Sequence, residues 1–208
     1  DAFQRVIKQA KQANIMFLIQ QTNLRWSELN SAEMKEFTQT IKDVDADKKN
    51  KQLENIEVSA YASPDGGLDL NDRLASQRQN KAKSHVNKVL KKNKVNAQVD
   101  TEYTAEDWEG FQELVAASNI PDKDLILRVL SMYQDPEVRE REIKNISAVY
   151  GELAEEILPQ LRRTRFTVDA TYAGLTDEEI FDTKDRAEHF TRERLLHHIR
   201  TLEDAYNT

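Results

Sequence analysis

The chain holds 208 residues, 38% hydrophobic and 32% charged, and 30 Lys plus Arg against 37 Asp plus Glu leave a net charge of −7. That length buries a real core, and the acidic balance is a poor match for a phosphate backbone, which disfavours nucleic acid as a general partner. The absence of cysteine excludes disulfides, thiolate zinc sites and cysteine nucleophiles, and the longest apolar run, Ile15–Ile19, falls far short of the ~20 residues of a bilayer span.

In chain order, Phe3, Val6, Ile7 and Ala10 fall on one stripe and predict a short lead-in helix over Phe3–Gln12. The compact run Ile15–Gln20 suits a buried strand. Asn30 and Glu33 have the spacing of a capping box, opening a helix with Met34, Phe37, Ile41 and Val44 inward. The lysine-rich stretch Asp45–Gln52 reads as a solvated loop. Ile56, Val58 and Ala60 alternate with polar neighbours as a half-buried strand, which Ser63-Pro64-Asp65-Gly66-Gly67 ends with strong turn chemistry. A long helix to about Asn93 follows, with Leu70, Leu74, Ala82, Val86 and Val89 along one side. Ala97 to Tyr103 alternates as a third strand.

From Asp107 to Pro159 the pattern turns helical. Stripes at Trp108–Val115 and Leu125–Tyr133 predict two helices. Asp135 before Pro136 opens a third, expected to run to Pro159. Arg165 to Tyr172 alternates as a fourth strand, and Leu195, Ile199, Leu202 and Tyr206 make a last amphipathic stripe. The expected fold is α+β: a mixed four-stranded sheet in β-α-β-α-β-(helical insertion)-β order, helices packed on one face. The expected divisions are a lead-in (1–13), a sheet domain (14–106 and 160–175), an autonomous insertion (107–159) and a helical C-terminal segment (176–208).

Chemistry concentrates at the turn after the second strand. Asn71 and Arg78 lie two helical turns apart, about 10 Å, on the apolar side of the long helix. A guanidinium there costs desolvation unless something anionic meets it, and the nearby helix N-terminus also favours an anion. Two readings stay open: a pocket for a small carboxylate, or an internal pair with one of the acidic side chains. Elsewhere, Trp108 reads as an anchor of the inserted helices and Glu152, Glu155 and Glu156 as a solvated face. His189, Glu193 and His197 are spaced for a shared helix face, where the bland reading is a charged tail. Five glycines with one Gly-Gly pair assemble no nucleotide-binding loop, and no nucleophile elbow is present. Neither catalysis nor a metal or cofactor is expected.

The stretch Ser63-x2-Gly66-x4-Asn71-x2-Leu74-Ala75-x2-Arg78-Gln79 resembles, without a gap, the D-x2-G-x4-N-x2-L-S-x2-R-A pattern of the OmpA-like peptidoglycan-associated domain. Phe17-x4-Thr22-Asn23-Leu24 is similar to that fold's opening, and Leu161-Arg162-Arg163 is similar to its N-R-R motif. The resemblance covers roughly residues 14–103 and 161–173. It implies a non-catalytic periplasmic module that anchors an outer-membrane or envelope protein to peptidoglycan, gripping a diaminopimelate of the stem peptide. Arg78 inherits the carboxylate role; Ser63, Asp65, Gly66, Asn71 and Arg162 complete the expected ligand-binding set. Ser63 replaces the family's aspartate, so its hydroxyl can accept from an ammonium without supplying charge, and Asp65 is the carboxylate nearby. The alternative is an interaction scaffold that has lost the glycan site. In either case envelope proteins are expected partners of the inserted helices. No signal peptide is visible, so the expectation is a cytosolic segment or a processed or trimmed part of an exported protein.

Overall fold

In the computed structural model, residues 6–173 are described. Strands β1 (Val6–Met16), β2 (Lys51–Tyr61), β3 (Val99–Thr104) and β4 (Arg163–Ala173) form one sheet in the order β1-β4-β2-β3. Strand β4 runs antiparallel to both β1 and β2, while β2 and β3 are parallel. Helices α1 (Trp26–Leu29) and α2 (Ala32–Ala46) follow β1, and α3 (Leu68–Lys92) links β2 to β3. The class is α+β with a mixed four-stranded sheet, as the alternation of β2, β3 and β4 implies.

The first strand corrects the expected lead-in helix. Residues 6–16 pair with β4 along their whole length, Val6 opposite Ala173 and Met16 opposite Arg163. Ile15 and Met16 end this strand, and the rest of the run Ile15–Gln20 lies outside it. The helical spacing of Val6, Ile7 and Ala10 misleads because β1 points Lys11 toward the helices, where Glu36 of α2 meets it at 3.3 Å. An inward charge on an edge strand erases the two-residue period and also guards the edge.

Other boundaries move for local reasons. Ser31, not Asn30, caps α2, its Oγ accepting from the Met34 amide at 3.2 Å. Asn30 instead closes α1, donating to the Trp26 carbonyl at 2.8 Å. The expected loop 45–52 is shorter, because Lys51 to Leu53 already pair with β4 ahead of a bulge between Leu53 and Asn55. The chain between β3 and β4 forms α4 (Trp108–Ala117), α5 (Lys123–Met132), α6 (Pro136–Asn145), α7 (Ser147–Glu152), a π-helical turn (Leu153–Ile157) and α8 (Leu158–Leu161). The single long helix expected from Pro136 is thus broken at Ile146, whose φ −80° and ψ 66° leave the helical region. Pro159 does not end a helix but sits at the second position of α8, directly after the π-helical turn Leu153–Ile157. The stripe at Leu195–Tyr206 and the group His189, Glu193 and His197 lie outside the described residues.

Two apolar cores result. The first sandwiches Met34, Phe37, Ile41, Ala82, Val86 and Leu90 of the helices against Ala13, Ile15, Ile56, Val58, Phe166 and Val168 of the sheet. Phe37 meets Phe166 edge-on at 5.7 Å. The second gathers Phe111, Val115, Ile126, Leu130, Leu153 and Leu161, all from residues between β3 and β4. Because β4 is antiparallel, its first residues lie beside the last residues of β1 and β2. The insertion leaves from the end of β3 and returns at the start of β4, so it meets the sheet at that same end.

Candidate functional site

That end of the sheet collects the residues singled out in sequence. Asn71 and Arg78 are both buried on the sheet side of α3, with Ala75, Ala82 and Val86 in the same stripe. Arg78 is only 1% exposed. Its Nε and Nη2 donate to the Gln21 carbonyl at 3.1 and 2.9 Å, and its Nη1 donates to the Tyr61 carbonyl at 2.8 Å. The guanidinium also lies 4.7 Å from the centre of the Phe17 ring. Among the described residues it forms no salt bridge, so the internal-pair reading does not describe it: backbone oxygens, not an acidic side chain of those residues, hold the fork. Burial pushes its pKa down to about 10, with repulsion from Arg162 adding to the effect and Asp65 opposing it.

The turn builds the rest. Gly66 adopts φ +135°, a conformation that favours glycine, and its carbonyl accepts from Asn71 Nδ2 at 3.3 Å. Arg162, 9% exposed, donates from Nε to Ser63 Oγ at 3.3 Å and pairs through Nη2 with Asp65 Oδ2 at 3.2 Å. Its backbone carbonyl accepts from the Phe17 amide at 2.7 Å, so Phe17 links both arginines. The second oxygen of Asp65, Oδ1, is buried without a partner among the described residues. Ser63, Asp65, Gly66, Asn71, Arg78 and Arg162 therefore come together, with both arginines buried and Arg78 the deeper of the two.

Charge counting gives the site its character. Among the described residues Arg78 and Arg162 share one nearby carboxylate, Asp65, which leaves one positive charge unbalanced there in a largely dry environment. Two of the neighbouring cations, Arg163 and Lys144, are paired. Arg163 pairs with Asp107 at 2.7 Å and lies 4.2 Å over the Tyr61 ring; Glu140 pairs with Lys144. A buried surplus cation is what an anion stabilises most. Trp108 packs edge-on against Phe111 at 5.7 Å within the inserted helices.

Sequence reasoning missed Gln21 and Tyr61, because a backbone acceptor carries no residue signature. It also missed Glu140, whose carboxylate accepts from the Gly66 amide at 2.9 Å across 74 residues. Asp107 had a legible signal. Its side chain caps α4 through the Gly110 amide at 3.0 Å, a spacing visible in the sequence. Among the described residues no group of His, Asp and Glu could hold a metal ion, and no helix is long and apolar enough to cross a membrane. No protein-family model matches this chain, and no curated protein matches it.

Proposed function

We propose that the chain is a non-catalytic binding module of the OmpA-like kind, anchoring an envelope protein to peptidoglycan in the periplasm. The observation that carries this reading is the surplus positive charge that, among the described residues, Arg78 and Arg162 share around the carboxylate of Asp65. A diaminopimelate carries a carboxylate and an ammonium together. Arg162 offers the carboxylate an unpaired Nη1 among the described residues, and Asp65 Oδ1, buried and without a partner among those residues, becomes an acceptor for the ammonium once the turn opens. In this arrangement Asp65 supplies the charge that Ser63 lacks, and Arg78 is a strut beneath the site instead of its anchor.

A second reading is favoured by one specific observation. Arg78 is closed in by Gln21 and Tyr61, which fits a scaffold whose glycan site has become structural. Co-sedimentation with insoluble peptidoglycan separates the two. The anchoring reading expects the chain to pellet, and Arg162→Ala to abolish pelleting while the far-UV spectrum stays native. A chain that stays in the supernatant with intact sacculi rejects it in favour of the scaffold.

A further inference from the structure

The inserted helices reach back to the turn. Glu140 on α6 accepts from the Gly66 amide through Oε1 at 2.9 Å, and the Lys144 ammonium, one turn further on, holds the same oxygen. Gly66 is thereby tied twice: its carbonyl accepts from Asn71 on α3, and its amide donates to Glu140 on α6. The turn's conformation, with φ +135° at Gly66, is fixed from both sides. Beside this contact lies a cavity of about 20 Å³, room for one water molecule. Pro64 and Asp65 form its turn wall, and Trp108, Ile143 and Tyr150 are among the residues of its helical wall. At the turn the two cores thus meet through a polar contact beside a water-sized cavity.

We propose that α6 is a latch on the turn, with the Glu140 carboxylate occupying the Gly66 amide, the backbone donor that follows Asp65 in the chain. Lys144 neutralises that carboxylate, so the latch leaves the surplus charge of the two arginines unbalanced. Opening it frees the Gly66 amide for an incoming anion and lets the Asp65 turn relax. An occupant that shifts α6 is then felt at the turn. The regulatory consequence rests on the anion-binding reading of the site; the latch itself does not.

Amide hydrogen exchange followed by NMR tests the latch in the full chain. In Glu140→Ala the Gly66 amide should exchange at least tenfold faster, while Val58 and Val86 in the sheet core keep their wild-type rates. Glu140→Gln, which keeps an acceptor oxygen, should restore most of the protection. Unchanged exchange at Gly66 overturns the latch, and so does equal acceleration at Val58 and Val86, which marks general loosening. Pelleting with peptidoglycan tests the regulation: the bound fraction should rise severalfold in Glu140→Ala. An unchanged bound fraction, in a chain that pellets, overturns the regulatory role. A wild-type chain that does not pellet overturns wall binding instead, and hydrogen exchange still decides the latch.

Discussion

Arg78 grips the backbone of Gln21, 57 residues earlier in the chain, with two N–H groups on a single carbonyl oxygen. The third bond, to the Tyr61 carbonyl, ties the same guanidinium to the end of β2. One side chain thus fastens α3, the loop after β1 and the last residue of β2. A planar fork does this; a point charge does not.

Replacing Arg78 should therefore cost stability. Arg78→Ala leaves two carbonyls without donors, at ~1–3 kcal/mol each, and opens a cavity against Phe17. The urea midpoint should fall by the equivalent of about 3 kcal/mol or more. Arg78→Lys should recover less than half of the loss, since an ammonium cannot span both carbonyls in the same geometry. A midpoint that does not move would return Arg78 to the role of a ligand anchor.

How far the sequence could foresee this depends on where each signal lives. Strands β2, β3 and β4 were legible because their inward and outward faces differ in polarity. β1 was not, because Lys11 points inward to Glu36. The turn and the arginines were legible as residue types at fixed spacing, and they do meet in space. Their roles were not. The partners of Arg78 are main-chain oxygens of Gln21 and Tyr61, which any residue at those positions would supply. The reach of Glu140 to Gly66 depends on how two cores abut, a property of packing that no local spacing encodes.

Gly110 offers a separate test at the start of the insertion. A Cβ there would stand 2.4 Å from Asp107 Oδ2 and 2.9 Å from Oδ1. Those oxygens cap α4 and hold Arg163. Gly110→Ala should push the carboxylate out of both contacts and destabilise the chain by ~1–3 kcal/mol. Asp107→Asn should cost less, because its one remaining acceptor oxygen keeps the cap and only the pair with Arg163 is lost. Chemical denaturation of the two variants gives the order directly. Equal midpoints for Gly110→Ala and the wild type would mean that the backbone yields freely at this corner.

His85 sets part of the acid response. Burial lowers its pKa from the ordinary 6.5, and Lys88, one turn along α3, lowers it further. As the pH drops below 6.5 the unfolded chain takes up the imidazole proton before the folded chain does. Stability from this group is therefore full above 6.5, falls below it, and levels off once the folded form is protonated too. His85→Gln should flatten the urea midpoint between pH 7 and pH 5 relative to the wild type. Parallel profiles for the two proteins would assign the acid loss to other groups.

The insertion provides the last test, because its core is separate from that of the sheet domain. No buried residue of the sheet core lies within 107–159. The flanking ends, β3 and β4, are separated only by β2, so two strand spacings, about 10 Å, divide them. A short glycine-serine linker in place of residues 107–159 spans that gap without strain. The shortened chain should fold cooperatively, with a strand-rich far-UV spectrum. It should nevertheless be less stable than the parent. Arg163 loses Asp107, and Leu161, buried in the second core, becomes exposed; a charge-assisted pair and one leucine side chain together are worth ~3–5 kcal/mol. Gly66 also loses Glu140, so the turn should exchange faster even where the sheet does not. A deletion variant without a cooperative transition would show that the inserted helices are part of what folds the sheet, and the picture of two separable cores would go with it.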